Sequence, residues 1–96
     1  MTKADLVRIV SEKTGMTRNE VSMIVDTLIE SIKKSVIQDE RIEIRGFGNF
    51  YLRHKKARKA RNPRTREEVP IPARIVPEFK ISRVFRTEVD EIHNNK

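Results

Sequence analysis

Residues 53–66 read RHKKARKARNPRTR. Eight of these fourteen residues are Lys or Arg, and none is acidic. The run lies inside the chain between two strand-like segments, and Asn62-Pro63 supplies turn chemistry within it. An internal basic run with this turn and these flanks predicts a β-hairpin arm that projects from a folded body. Such an arm suits a polyanion, because duplex DNA carries one negative charge per about 1.7 Å of its axis.

The basic run also has a plainer interpretation as a solvated charged loop, since charge runs are commonly that. Its lack of acidic residues and its strand-like flanks favour an arm that a ligand stabilises, because a lone two-stranded ribbon is barely stable in water. Pro63 is open to two interpretations from the local sequence. It is either a turn residue after Asn62 or a rigid apolar wedge that enters between base pairs.

The segments on either side of the run are typical of strands. Ile42 and Ile44 alternate with charged residues, as in a half-buried strand, and residues 46–50 (GFGNF) supply a tight turn and two aromatic anchors. After the run, residues 69–77 carry alternating prolines, each of which removes a ladder donor. This segment is therefore predicted to be an edge strand or a free ribbon, after which Phe79 returns to the core.

The chain before residue 41 is predicted to be helical. Residues 2–13 form an amphipathic pattern, with Thr2 and Asp5 placed as an N-terminal capping pair and Gly15 suited to end the helix. The apolar positions of this first helix are Leu6, Val7, Ile9 and Val10.

A second helix is expected to open at a capping box formed by Thr17 and Glu20. The apolar stripe that follows indicates a hydrophobic core and consists of Val21, Ile24, Val25, Leu28, Ile29, Ile32, Val36 and Ile37. A last helix is predicted from a cap at Ser82 to about Ile92, followed by a frayed tail over residues 93–96.

Length and composition indicate a single small domain that gains core by dimerisation. A chain of 96 residues buries only about 60–65 % of its unfolded surface. The net charge of +7 and the pI of about 10.1 favour nucleic acid or an anionic membrane as partner. The chain has no cysteine, so disulfides and thiolate metal sites are excluded. With no signal-peptide pattern and no membrane-spanning run, we expect a cytoplasmic protein.

The sequence contains no catalytic signature, and we expect no enzyme, metal, cofactor or small-molecule substrate. His54 and His93 are far apart and have no ligand spacing. Gly46 and Gly48 lack the remainder of a dinucleotide motif and instead let the backbone approach either the core or a phosphate.

Three motifs together resemble the bacterial histone-like HU and integration host factor family. They are GFGNF at residues 46–50, RNPRT at 61–65 and VPEFK at 76–80. The resemblance covers almost the whole chain. It implies an intertwined homodimer, or a heterodimer with a related subunit, in which a helical base lies under a saddle of strands and two arms reach around the DNA minor groove.

The resemblance also implies roles for individual residues. Pro63 becomes an intercalating wedge, and the aromatic dimer core comprises Phe47, Phe50 and Phe79. Arg53, Lys55, Arg58 and Arg61 match arm cations of the family, and Lys3, Lys80, Arg83 and Arg86 match body positions that touch phosphates. The remaining predicted DNA contacts are Gly46, Gly48, Lys56, Lys59, Asn62, Arg64, Arg66 and Arg74.

The sequence departs from the family pattern at three positions. The family usually has glycine where this chain has Ala60 and Arg66, and both changes are expected to alter the turn at the arm tip and to stiffen or re-aim it. The family's frequent lysine is Ile75 here, which removes one expected phosphate contact.

The predicted fold class is α+β: two N-terminal helices, a three-stranded antiparallel sheet with a long projecting hairpin arm, and a short C-terminal helix. Within the single domain of residues 1–96, we assign residues 1–40 to helical dimerisation, 41–81 to the sheet and arm, and 82–96 to the last helix and tail. The predicted function is a nucleoid protein that binds and bends double-stranded DNA with little sequence preference. The alternatives are an integration-host-factor-like subunit that bends specific sites and a basic module that docks on RNA or an acidic protein.

Overall fold

The computed structural model describes residues 1–95 and contains two compact units, one of residues 1–34 and one that begins at Ser35. Lys96, which we assigned to the frayed tail, lies outside the described residues. The predicted order of helices, strands and arm is confirmed.

The first unit is helical. Helix α1 runs from Lys3 to Thr14, and its predicted cap is confirmed: the Thr2 hydroxyl accepts a hydrogen bond from the Asp5 backbone N–H, and the Asp5 carboxylate accepts one from the Thr2 N–H. Gly15 ends this helix in the left-handed region with φ of 76°, where its lack of a Cβ removes the steric penalty. Val7 is buried.

Helix α2 runs from Arg18 to Ile37, beginning in the first unit and ending in the second. The Thr17 hydroxyl accepts a hydrogen bond from the Glu20 N–H at 3.2 Å, which is one half of the predicted capping box. Val21, the first member of the predicted apolar stripe, is buried. Other members, including Ile24 and Leu28, are more than half exposed in the single chain.

The second unit contains all the strands of the described chain and the last helix. Their bounds are β1 Ile42–Ile44, β2 Gly48–Lys55, β3 Arg58–Arg61, β4 Glu68–Ile71, β5 Arg74–Ile81 and α3 Arg83–His93. An antiparallel sheet has the order β1-β2-β5, and β3 pairs with β4 in a separate two-stranded ribbon. The predicted cap of α3 is confirmed, because the Ser82 hydroxyl accepts from the Phe85 N–H.

The prolines explain why the return strand is split and lies at an edge. Pro70 lies in the two-stranded ribbon and Pro77 lies in β5, an outer strand of the three-stranded sheet. Each lacks an N–H, and only an outer strand tolerates that loss. Pro72 occupies the interval between β4 and β5, so ladder pairing stops there.

The two faces of the three-stranded sheet differ in character. The register places Phe50 opposite both Ile42 and Phe79, so one face is apolar. Residues one position away in each strand point to the other face. That outer face carries Tyr51 opposite Glu78.

Gly48 is needed for packing on the apolar face. A Cβ at this position would lie 2.6 Å from the Phe79 ring and 2.5 Å from the Lys80 carbonyl oxygen, closer than atoms can approach. The close backbone approach predicted for Gly48 is therefore made to the core. Gly46, by contrast, is exposed and adopts φ of 80° in the turn that the Phe47 N–H closes on the Ile44 carbonyl.

Candidate nucleic-acid interface

The distal part of the arm is the β3–β4 ribbon and its tip. Four cross-strand pairs run from Arg58 opposite Ile71 to Arg61 opposite Glu68. The basic side chains of this part are exposed, as expected for residues that meet an external partner. The predicted arm is therefore a paired ribbon and not a solvated loop.

Local hydrogen bonds define the tip. The Asn62 N–H donates to the Glu67 carbonyl at 2.9 Å, and the Arg66 N–H donates to the Asn62 carbonyl at 2.7 Å. The Asn62 side-chain oxygen also accepts from the Arg64 N–H at 3.0 Å. Pro63 lies in this turn and is exposed. Asn62 thus orders the tip, and the Pro63 ring is free to meet a partner.

Arg66, where the family pattern has glycine, has a strained backbone. Its φ is 60°, in the left-handed region that costs an ordinary residue about 1–2 kcal/mol. The predicted effect of Arg66 on the tip therefore has a physical basis. Ala60, the other departure, lies in β3 opposite Val69 and is accommodated in ordinary ladder pairing.

The arm cations have an acidic neighbour that residues 53–66 do not contain. Glu68 lies opposite Arg61 on the return strand, and its carboxylate is 3.7 Å from the Lys59 ammonium. The run itself contains no acidic residue, but strand pairing places this acid of the return strand beside it. Both groups of this pair are largely exposed, and exposed pairs contribute at most about 1 kcal/mol.

A cationic cavity of about 440 Å³ lies at the base of the arm, where pairing passes from β2–β5 to β3–β4. Five residues of the basic run and three residues of the returning chain line it: Arg53, His54, Lys55, Lys56, Arg58, Ile71, Pro72 and Arg74. The sheet ends at Lys55 opposite Arg74, and this pairing brings five predicted DNA contacts around one opening.

The outer face of the sheet carries a hydrogen-bonded network beside this cavity. The Tyr51 hydroxyl donates to one Glu78 oxygen at 3.1 Å, and Arg53 donates to the other at 3.3 Å. The Arg41 guanidinium lies over the Tyr51 ring, 5.1 Å from its centroid. The network therefore extends from the residue before β1 to β5.

This network shifts two ionisation equilibria in opposite directions. The hydrogen bond to Glu78 raises the pKa of Tyr51, and burial adds to that effect. Burial alone would raise the pKa of Glu78, but hydrogen bonds from Tyr51 and Arg53 and the nearby positive charges outweigh it and lower that pKa. At neutral pH the network therefore comprises a neutral phenol, a carboxylate and two guanidinium groups.

His54, at the arm base, contacts the turn that follows α2. Its Nε2 lies 3.0 Å from an Asp39 carboxylate oxygen. Asp39 has φ of 59°, a conformation that aspartate tolerates better than most residues because its short side chain can bond locally. His54 is largely exposed.

The remaining predicted contacts belong to elements other than the arm. Lys80 lies on β5, and Arg83 and Arg86 lie on α3, all exposed. Lys3 belongs to the first unit, where its ammonium lies 2.7 Å from the Asp26 carboxylate. The second unit thus contains every predicted contact except Lys3.

The three predicted core phenylalanines do form a cluster. Phe79 lies 4.5 Å from Phe50 and 5.0 Å from Phe47 between ring centroids. A fourth ring, Phe85, stacks on Phe47 at 5.8 Å. The cluster is open to one side in the single chain, since Phe47 and Phe79 are 42 % and 39 % exposed. Their burial between two chains stays a prediction.

Sequence reasoning missed Arg41 and the position of Tyr51 beside Glu78. Arg41 was interpreted only as a charged residue that alternates with Ile42 and Ile44, and Glu78 only as part of the VPEFK motif. The only available signal was the strand register, because Arg41 and Tyr51 become neighbours once Ile42 pairs with Phe50. That register follows from long-range pairing and not from local pattern.

Comparison with known proteins gives consistent matches over nearly the whole chain. The sequence profile described as bacterial DNA-binding protein matches residues 1–90. DNA-binding protein HU of Staphylococcus aureus (strain COL) is 42% identical over 93% of this chain and 99% of its own length. Integration host factor subunit alpha of Anaeromyxobacter sp. (strain Fw109-5) is 43% identical over 94% of this chain and 91% of its own length.

The chain belongs to the bacterial DNA-binding protein family. The fold agrees with this assignment. Anabaena HU, solved in a cocrystal with DNA, has a TM-score of 0.76 and 37% identity over 93% of this chain and 97% of that one. The resemblance drawn from the three motifs is confirmed. As a histone-like member of this bacterial DNA-binding protein family, the protein binds DNA and is not an enzyme.

Within residues 1–95 no helix is both long enough and apolar enough to cross a membrane.

Proposed function

We propose that this protein binds duplex DNA as a dimer, places its two arms in the minor groove and bends the duplex with little sequence preference. The observation that carries this proposal is the exposed cationic β3–β4 ribbon with Pro63 in its terminal turn. Arm cations would contact phosphates, which supply affinity without a base code. The predicted DNA contacts remain proposals residue by residue.

The minor groove is the expected binding surface for two physical reasons. Its edges mostly distinguish only A·T from G·C pairs, which suits a protein with little sequence preference. An apolar side chain inserted at a base step can hold a kink open, and proline is one of the residues used in this way. Pro63 is exposed in an ordered turn and is therefore the proposed wedge.

Selectivity would arise from the ease with which DNA is deformed. Flexible, nicked, gapped or pre-bent duplexes require less deformation energy and should bind more tightly than intact linear duplexes. The proposed location is the nucleoid in the bacterial cytoplasm, where such a protein would compact DNA.

The test is a gel-shift titration of intact, nicked and cruciform duplexes, with RNA of equal length as comparison. We expect cruciform and nicked duplexes to bind most tightly, intact duplex less tightly, and RNA least tightly. One intact sequence bound far more tightly than others of equal length would favour the site-specific, integration-host-factor-like alternative. Equal binding of RNA would contradict the proposal and favour the RNA module.

The salt dependence of binding measures the arm contacts. If a dimer neutralises about eight phosphates, log K should fall with log[salt] with a slope near −7. Arg58→Ala should reduce the magnitude of the slope by about one unit per arm and weaken all sequences alike. Lys13→Ala removes an equal charge from the end of α1, outside the predicted contacts, and should leave the slope nearly unchanged. A parental slope near zero is incompatible with binding through phosphate contacts.

A further inference from the structure

One row of side chains crosses the outer face of the three-stranded sheet. Ile42 pairs with Phe50, so the preceding residue, Arg41, faces Tyr51, and Tyr51 in turn pairs with Glu78. The row runs perpendicular to the strands, on the face opposite the phenylalanine cluster. Side chains directly opposite one another on a sheet lie close enough to interact, and here they do.

The way in which Arg41 is held leaves it able to bind something else. The guanidinium lies over the Tyr51 ring, with Cζ 5.1 Å from the ring centroid. This cation–π contact attracts the charge of Arg41 to the ring and is not a hydrogen bond to an acceptor atom, so guanidinium N–H donors remain for a ligand. Arg41 is exposed, and a guanidinium held over a ring is more ordered before it meets a ligand than a free one. Binding a phosphate would therefore cost less side-chain entropy than binding by a free arginine.

Glu78 fixes the other end of the row. One of its oxygens accepts from Tyr51 and the other from Arg53, so the ring that supports Arg41 and the guanidinium of Arg53 share one carboxylate. In the ion pair between Arg53 and Glu78, Glu78 is the more buried partner, with its side chain 30% exposed. Two guanidinium groups therefore lie near Tyr51 on the same sheet face: Arg41 is across from Tyr51 at the β1 edge, and Arg53 is two residues further along β2.

We propose that Arg41 is a further DNA-phosphate contact, that Tyr51 is its positioning residue, and that Glu78 fixes Tyr51 and Arg53. The inference rests on the proposed function and deepens it. DNA contact then extends from the arm over the outer sheet face to the edge strand β1. Glu43 lies on the same face two residues from Arg41, so the contact is a local one between Arg41 and a phosphate within its reach and not a broad cationic surface.

The first experiment compares Arg41→Ala with Lys13→Ala, which removes the same charge outside the proposed interface. The readout is the slope of log K against log[salt] for an intact duplex bound by the full-length protein. Loss of one contact per chain should reduce the slope of a dimer by about 1.8 and weaken binding at 0.1 M salt by roughly tenfold or more. Lys13→Ala should do neither. If the two variants behave alike, Arg41 is not a phosphate contact.

The second experiment tests positioning without any change of charge. Tyr51→Phe keeps the ring under Arg41, whereas Tyr51→Leu removes it. We expect Tyr51→Leu to reduce the salt slope as Arg41→Ala does, Tyr51→Phe to reduce it much less, and the double variant with Arg41→Ala to lose no more than Arg41→Ala alone. Circular dichroism melting identifies any variant that fails to fold, and Arg41→Ala, at an exposed sheet edge, remains informative in that case.

The outcomes separate this inference from the proposed function. If Arg58→Ala reduces the slope and Arg41→Ala matches Lys13→Ala, the arm function stands and the Arg41 contact is refuted. If Arg41→Ala reduces the slope but Tyr51→Leu does not, the contact stands and positioning by Tyr51 is refuted. If the parent protein itself shows no salt-dependent DNA binding, the proposed function and the Arg41 contact that rests on it are both refuted.

Discussion

Two non-glycine residues of the described chain adopt left-handed backbone conformations, and they differ in how well they tolerate it. Asp39 has φ of 59°, and its carboxylate contacts His54. Aspartate tolerates the left-handed region better than most residues, because its short polar side chain can form local hydrogen bonds. Arg66 has φ of 60° at the arm tip and a long side chain that gains nothing from that conformation. The strain at Arg66 is balanced by the tip hydrogen bond from its N–H to Asn62.

Arg66→Gly should relieve this strain and order the tip. In this variant we expect the backbone amides of residues 62 and 66 to exchange hydrogen about 5- to 30-fold more slowly, which corresponds to relief of about 1–2 kcal/mol of backbone strain. Arg66→Asn should have a smaller effect of the same sign, since asparagine tolerates the left-handed region. Arg66→Ala loses the same charge but keeps the strain, so it is the control. Faster exchange in the glycine variant would show that flexibility outweighs strain at this turn.

At the scale of secondary-structure elements, the arm consists of two ladders separated by an unpaired interval. Pairing of β2 with β5 ends at Lys55 and Arg74, and pairing of β3 with β4 begins at Arg58 and Ile71. The interval includes Pro72, which cannot donate to a ladder. The distal ribbon is therefore held by only four cross-strand pairs, and we expect a bound duplex to stabilise it.

Pro63→Ala separates bending from binding. The arm cations attract DNA whether or not the tip intercalates, so much of the non-specific affinity should remain. Removing the ring takes away the proposed wedge, so the bend angle and the preference for nicked duplex should both decrease. The bend is measured by fluorescence transfer between the ends of a short duplex, and arm folding by amide exchange. A variant that bends DNA as sharply as the parent would show that Pro63 is only a turn residue.

The N-terminal cap of α1 makes part of the stability of that helix depend on pH. Hydrogen bonds from Thr2 lower the pKa of Asp5, so the cap contributes fully above the ordinary aspartate pKa and is lost as pH falls below about 4. Thr2→Ala should cost about 0.5–2 kcal/mol at neutral pH and flatten this acid dependence. Thr14→Ala, which removes a hydroxyl at the other end of α1, is the control. Unfolding is followed by circular dichroism from pH 7 to 2.

At the scale of the whole molecule, a single chain has too little buried apolar surface to be stable by itself. Within residues 1–95 the buried apolar side chains are Val7, Val21 and Val36. Large apolar residues on α2 and in the phenylalanine cluster are exposed in the single chain. A second chain that covers these surfaces would supply the missing core, which is why the stable species is expected to be a dimer.

Phe79→Ala should therefore abolish dimer and fold together. Phe79 contacts both Phe47 and Phe50, and truncation of a large core aromatic costs about 3–5 kcal/mol, a large part of an ordinary domain's stability. Phe79→Leu, which keeps most of the volume, should remain folded with reduced stability. Sedimentation and circular dichroism provide the readouts. A folded monomer of Phe79→Ala would refute the shared core.

Local sequence was sufficient to predict most of the elements and the arm. Caps at Thr2 and Ser82 are local hydrogen bonds between residues three apart, so their spacing alone identifies them. The basic run predicted a projecting ribbon, because like charges repel one another and favour exposure to solvent. The prolines of the return strand predicted an edge, because each lacks the N–H that a central strand would need for its ladder. The motifs then indicated the family, which the comparisons confirmed.

Tertiary structure alone decided which side chains meet. Arg41 lies over the Tyr51 ring, Tyr51 donates a hydrogen bond to Glu78 twenty-seven residues away, and Glu68 pairs with the outgoing strand of the arm. These contacts depend on strand register, and a shift of one residue would turn each side chain to the opposite face. Local pattern cannot fix register across an arm, because register results from the packing of the phenylalanine cluster and from the close approach of Gly48 to Phe79.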